Sequence, residues 1–98
     1  MEKLAEDAVE EKVRQLAGWE VTLVEGENRL LRVFIFEDFV SAMAFSVKVG
    51  MIAEKADHHP AMLVEWGKVT VSWWSHSLSG LSEKDFEMAG RTSDLYEV

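Results

Sequence analysis

The chain has 98 residues, near the small end of single-domain size, so one domain over residues 1–98 is expected, with no second core. A hydrophobic share of 48%, with four Trp, five Phe and one Tyr, is too much apolar surface for a disordered chain. Ten Lys and Arg against eighteen Asp and Glu leave a net charge of −8, which argues against nucleic acid and anionic membranes as partners. There is no cysteine, which excludes a disulfide framework, thiolate catalysis and a Cys-based zinc site. Acids at Glu2, Glu6 and Asp7 stand where a secretory signal is apolar, and no apolar run approaches membrane-spanning length. A soluble, cytoplasmic protein is the expectation.

Residues 2–17 have helical periodicity, with Ala5, Val9, Val13 and Leu16 on one face and Gly18 placed to stop the helix. Trp19, Val21 and Leu23 then alternate with Glu20 and Thr22, the period of a strand with one buried face. Glu25-Gly26-Glu27-Asn28 signals a turn, and residues 29–36 read as the returning strand of a hairpin. From 37 to 56 the period is helical again. Phe39, Ala42, Met43, Ser46, Val49 and Ala53 form a stripe for the sheet, and Val40, Ala44, Val47 and Met51 form a second on another face. Two apolar faces require either a second helix of the same chain over this one or a second subunit, and the subunit is the favoured reading.

Asp57-His58-His59-Pro60 is a loop, followed by strands at 62–66 and 68–75 around Gly67. Ser79-Gly80 is a turn, and Ser82 opens a last helix reaching Tyr96. The order α-β-β-α-β-β-α, with tight turns joining the strand pairs, predicts an α+β two-layer sandwich. It has a four-stranded antiparallel sheet with its helices on one face.

All three histidines, His58, His59 and His76, fall within nineteen residues. If the turn at Gly67 is a hairpin, its open end brings His59-Pro60 and His76 together. Imidazole gives and takes protons near neutrality, so such a cluster suits proton transfer. Asp57 or Glu54 could complete a metal site, but adjacent histidines seldom face one ion and no HExxH spacing occurs, so no metal is expected. Asp85 has two readings: the acid of a capping box with Ser82, or an orienter of His76 or of a substrate nitrogen. Glu54 is either a solvated charge or an anchor for the histidine loop. Trp19 and Trp73 have core parity, whereas Trp66 and Trp74 lie nearer the histidines and could stack on a flat heterocycle. No phosphate-binding glycine loop is present, and Ser75-His76-Ser77 lacks the G-x-S-x-G context of a serine hydrolase.

Glu54-x-x-x-His58-His59-Pro60, then five residues to Trp66, nine more to His76 and eight more to Asp85, resembles the signature of the pterin-4a-carbinolamine dehydratases. Gly18-Trp19, Phe34-x-Phe36-x-x-Phe39 and Ser75-His76-x-x-x-Gly80-Leu81-Ser82-x-x-Asp85 are similar to that family as well, while the paired Trp73-Trp74 is less typical of it. The resemblance implies an α+β fold of this order, a site without metal or cofactor, and a homodimer or homotetramer built through the central helix (37–56). It also implies dehydration of a 4a-hydroxytetrahydropterin, such as 4a-hydroxytetrahydrobiopterin, to quinonoid dihydropterin. Under that resemblance His58, His59 and His76 are catalytic, and Asp85, Glu54, Pro60, Trp66 and Trp74 bind or orient. A binding or dimerisation module is the competing class.

Overall fold

The computed structural model describes residues 1–97 and has the predicted order of elements. Helix α1 spans Glu6–Arg14, β1 Glu20–Val24, β2 Glu27–Ile35, α2 Phe39–Ala56, β3 Ala61–Glu65, β4 Lys68–Trp73 and α3 Glu83–Tyr96, with one 3₁₀ turn at His76–Leu78. The four strands form one antiparallel sheet in the order β1-β2-β4-β3. Its two inner strands are in register at Leu30↔Trp73, Arg32↔Val71 and Phe34↔Val69.

Alternation decides which face is covered. Leu30, Phe34, Val69, Val71 and Trp73 are wholly buried under the helices, whereas Val33, Ile35 and Leu63, of the opposite parity, are exposed. All three helices therefore share one face. Phe34 centres the core, with ring centroids 4.7 Å from Phe45, 4.9 Å from Tyr96 and 5.9 Å from Trp19. The tilted and edge-on geometries are those aromatic quadrupoles favour.

Helix α2 starts at Asp38, whose Oδ1 accepts the Ser41 N–H at 2.8 Å. That backbone hydrogen bond holds the Asp38 carboxyl below its ordinary value. The sheet-facing stripe consists of Ala42, Phe45, Ser46, Val49 and Ala53; Phe39 and Met43, expected in it, lie at its margin and are partly exposed. The second stripe, Val40, Ala44, Val47 and Met51, is exposed, with Val40 at 77%, so no helix among the described residues overlays it. No helix among the described residues is long and apolar enough to cross a membrane.

Most boundaries move by one or two residues from the sequence reading, β2 to 27–35 and β3 to 61–65 among them, and three readings change in substance. The first helix covers 6–14 rather than 2–17, because the Leu4 N–H turns to the Leu81 carbonyl (2.8 Å) and Gln15 and Leu16 close short i→i−3 turns. Gly18 is not its cap. It sits at φ +90°, and a Cβ there would lie 2.7 Å from Arg32 Nε. The last strand stops at Trp73 rather than 75: Ser75 bridges to Gly80 across a tight loop, and His76 opens the 3₁₀ turn within it.

Candidate active site

The site forms where four chain segments end at one edge of the sandwich. Asp57 caps α2 in the left-handed region, at φ 53°, and turns the chain so that the His58 N–H reaches the Ala53 carbonyl at 3.2 Å. The β3–β4 register sets Ala61 opposite Ser72, so the open end of the hairpin carries the His58-His59-Pro60 loop on one side and the segment to His76 on the other. His58, His59 and His76, with Met1, Asp57 and Ser77, line one open cavity of about 410 Å³. A larger cavity of about 730 Å³ lies under α1. It is walled by Val9, Val13, Val21 and Leu23 with acids at its rim, and it contains no imidazole, so the proton-transfer groups belong to the smaller one.

Asp85 takes the capping role and also holds an imidazole, though not the one read from the sequence. It is fully buried, and its Oδ2 accepts the Ser82 N–H at 2.9 Å, within a capping box that starts α3. The same oxygen accepts the Ser75 hydroxyl (2.8 Å) and the Ser82 hydroxyl (3.2 Å). Its Oδ1 meets His58 Nε2 at 2.6 Å. The imidazole it orients is thus His58, not His76 as first read. A carboxylate only accepts, so the Nε2 of a neutral His58 carries the proton and Nδ1 presents its lone pair. The His58 ring is mostly buried and stacks on Trp73, at 5.8 Å between centroids and 4° between planes. Trp73 is fixed in turn by Nε1–H donation to Thr92 Oγ1 at 3.1 Å.

His59 is arranged differently. Its Nε2 pairs with Glu54 Oε1 at 2.9 Å, but both side chains are largely in solvent. Glu54 is a solvated charge whose one side-chain contact here is with His59. His76 is exposed, and its ring lies on Trp74 with centroids 4.2 Å apart. Pro60 is half-buried between the histidine pair and β3. Trp66 does not join them. It lies in the β3–β4 turn, 75% exposed, at the opposite end of the hairpin from its open mouth. Sequence spacing counted it close because it measured distance along the chain rather than along the hairpin.

Two side chains escaped the sequence reading. Ser75 has the inward parity of Val69, Val71 and Trp73, and a polar group on an apolar face needs a partner, which here is Asp85. Arg29 stands over the Trp74 ring with its guanidinium carbon 3.7 Å from the centroid, a pairing visible only once the β2–β4 register is known.

A family model described as pterin 4 alpha carbinolamine dehydratase matches residues 2–95. A Chlorobium limicola protein named for that dehydratase is 49% identical over 94 residues, covering 96% of this chain and 83% of that one. One of the same name from Marinobacter nauticus is 49% identical over 84 residues, covering 86% and 76%. Among solved structures, a Brucella melitensis protein titled transcriptional coactivator/pterin dehydratase superposes with a TM-score of 0.86 at 34% identity, covering 96% of this chain and 98% of that one. A pterin dehydratase-like RuBisCO assembly factor of the alpha-carboxysome shares the fold, with a TM-score of 0.68 at 19% identity over 81% of this chain and 89% of its own. The motif spacing, the sheet order and a family match over nearly the whole length agree: the chain belongs to the pterin-4a-carbinolamine dehydratase family.

Proposed function

We propose that this protein catalyses loss of water from 4a-hydroxytetrahydropterins, with 4a-hydroxytetrahydrobiopterin as the substrate to test first. The observation that carries this reading is the convergence of three imidazoles on one open cavity in a chain of this family. The substrate carries nitrogen and hydroxyl on one carbon. As the C4a–O bond breaks, its electron pair leaves with oxygen, which takes a proton to depart as water. The N5–H bond gives its electrons to the new C4a=N5 double bond, and its proton passes to a base. Each positioned proton transfer contributes on the order of 10²–10⁴ in rate.

In this reading His58 and His76 act on the leaving hydroxyl, and His59 places the pterin and accepts the N5 proton. Asp85 takes the His58 Nε2–H, so His58 meets the hydroxyl as an acceptor through Nδ1, and the proton that departs with oxygen comes from His76. Glu54 steers His59, Pro60 stiffens the loop between them, and Trp74 backs His76. The uncovered α2 stripe supports a homodimer or homotetramer joined through this helix, since apolar patches of this kind mark association surfaces.

The test is the dehydration rate followed by ultraviolet absorbance, with wild type beside His59→Ala and His76→Ala. The expected result is acceleration by wild type that falls at least about tenfold in each variant. No acceleration by folded wild-type protein overturns the enzyme in favour of a binding module.

A further inference from the structure

We propose that Arg29 and Trp74 are positioning residues for His76, and that the Arg29–Trp74–His76 stack sets the geometry of one proton transfer. The β2–β4 register ends at Leu30↔Trp73, and one step beyond it Arg29 meets Trp74. Adjacent residues of an extended chain point to opposite faces, so Trp73 and Trp74 divide the two imidazoles between them. Trp73 carries His58 from the core side, while Trp74 carries His76 from the open side.

Among the described residues no side chain holds the His76 ring as Asp85 holds that of His58. The His76 backbone is fixed, because Ser75 is tied to Gly80 through the main chain and to Asp85 through its hydroxyl. The ring itself has the Trp74 face as its support, at 4.2 Å and 39°. That indole is only 7% exposed and bears the Arg29 guanidinium at 3.7 Å, a close cation–π contact. Arg29 Nε is buried and has no hydrogen-bond partner among the described residues, so the contact with the indole is the one the structure shows for this group. A cation that fastens the indole fastens the imidazole resting on it. Misplacement of a catalytic group by about 1 Å costs up to about 10²-fold in rate, which is the scale on which this stack acts.

The catalytic half of this inference rests on the dehydratase reading, and the experiment keeps the two apart. Imidazole C–H resonances are recorded for wild type, Arg29→Ala and Trp74→Leu; three histidines give three sets of signals. The His76 signals, displaced in wild type by the indole ring current, are expected to move in both variants while those of His59 stay. Dehydration kinetics follow for Arg29→Ala in the wild-type and His76→Ala backgrounds. We expect kcat to fall about tenfold with KM within about twofold in the first background, and no further loss in the second. Equal losses in both backgrounds, or His76 signals that do not move, overturn the proposal. If wild type is inactive, the dehydratase reading alone fails, and the resonances still decide whether Arg29 and Trp74 hold His76.

Discussion

Asp85→Ala removes an acceptor that serves four donors, and the structure shows which of them lose their partner. The Ser75 and Ser82 hydroxyls lie 2.8 Å apart and can pair with each other once the carboxylate is gone. Two donors cannot re-pair so simply: the buried Ser82 N–H and the largely buried His58 Nε2–H. At about 1–3 kcal/mol for each stranded donor, the loss is about 2–6 kcal/mol, a large part of the ~5–15 kcal/mol typical of a domain. The thermal midpoint should drop by on the order of 10 °C or more, at ~4–8 °C per kcal/mol for this size. Asp85→Asn separates folding from chemistry. Its amide oxygen can still serve Ser82 and Ser75, but its NH₂ then faces His58 Nε2, forcing the ring proton to Nδ1. The expected cost is about 1–2 kcal/mol, with dehydration slower by on the order of 10²-fold or more because the lone pair faces the wrong way. Urea titration by far-ultraviolet circular dichroism gives the first quantity and the absorbance assay the second. An Asp85→Ala protein within about 1 kcal/mol of wild type would refute the donor count, and an Asp85→Asn enzyme at full rate would refute the tautomer argument.

Gly18→Ala combines a strained φ with a Cβ 2.7 Å from Arg32 Nε, so it should lower stability by more than about 1 kcal/mol. Gly90→Ala, inside α3 with nothing within 4 Å of the new Cβ, should raise stability by about 0.5–1 kcal/mol; urea midpoints of opposite sign are the check. At Asp38 the folded carboxyl titrates below its ordinary value of 3.8, so its contribution is complete above that value and is lost as pH falls through the folded one. Asp38→Asn should keep the cap and flatten that acid limb, whereas Asp38→Ala should lower stability at neutral pH as well, both read from midpoints across the acid range. Val47→Asp places a charge in the exposed α2 stripe and should yield a folded monomer by sedimentation where wild type is a dimer or larger. A monomeric wild type at micromolar concentration removes the α2 assembly.

Period and parity carried most of the fold. The alternation through Val69, Val71 and Trp73 gave the covered face of β4, and the double stripe of α2 gave an apolar surface that the monomer leaves open. What sequence could not supply was where polar groups take their hydrogen bonds. Ser75 interrupts β4 by bonding to Gly80, and Leu4 leaves the first helix for Leu81. Both partners are remote from the local pattern that periodicity reads. The histidine cluster was visible from spacing because a hairpin maps chain distance onto position. The same rule misplaced Trp66, which belongs to the turn and not the mouth. Asp85 looked like a choice between capping and orienting because a sequence shows one neighbour at a time. In the fold one oxygen caps α3 and the other holds His58.

That double use divides the site into two halves with different mechanical properties. His58, Asp85, Trp73, Ser75 and Ser82 form a buried network attached to the start of α3, so any change that misplaces His58 also strains the fold. His59 and Glu54 form the other half, with side chains 55% and 83% exposed. A pair so solvated contributes about 0–1 kcal/mol to stability. Glu54→Ala should therefore leave the urea midpoint almost unchanged. Dehydration should fall mainly through KM, because a loosened His59 still reaches the pterin but spends less time aligned with it. If Glu54→Ala instead unfolds at markedly lower urea, the pair is part of the scaffold, and the division of the site into a structural and a solvated half fails.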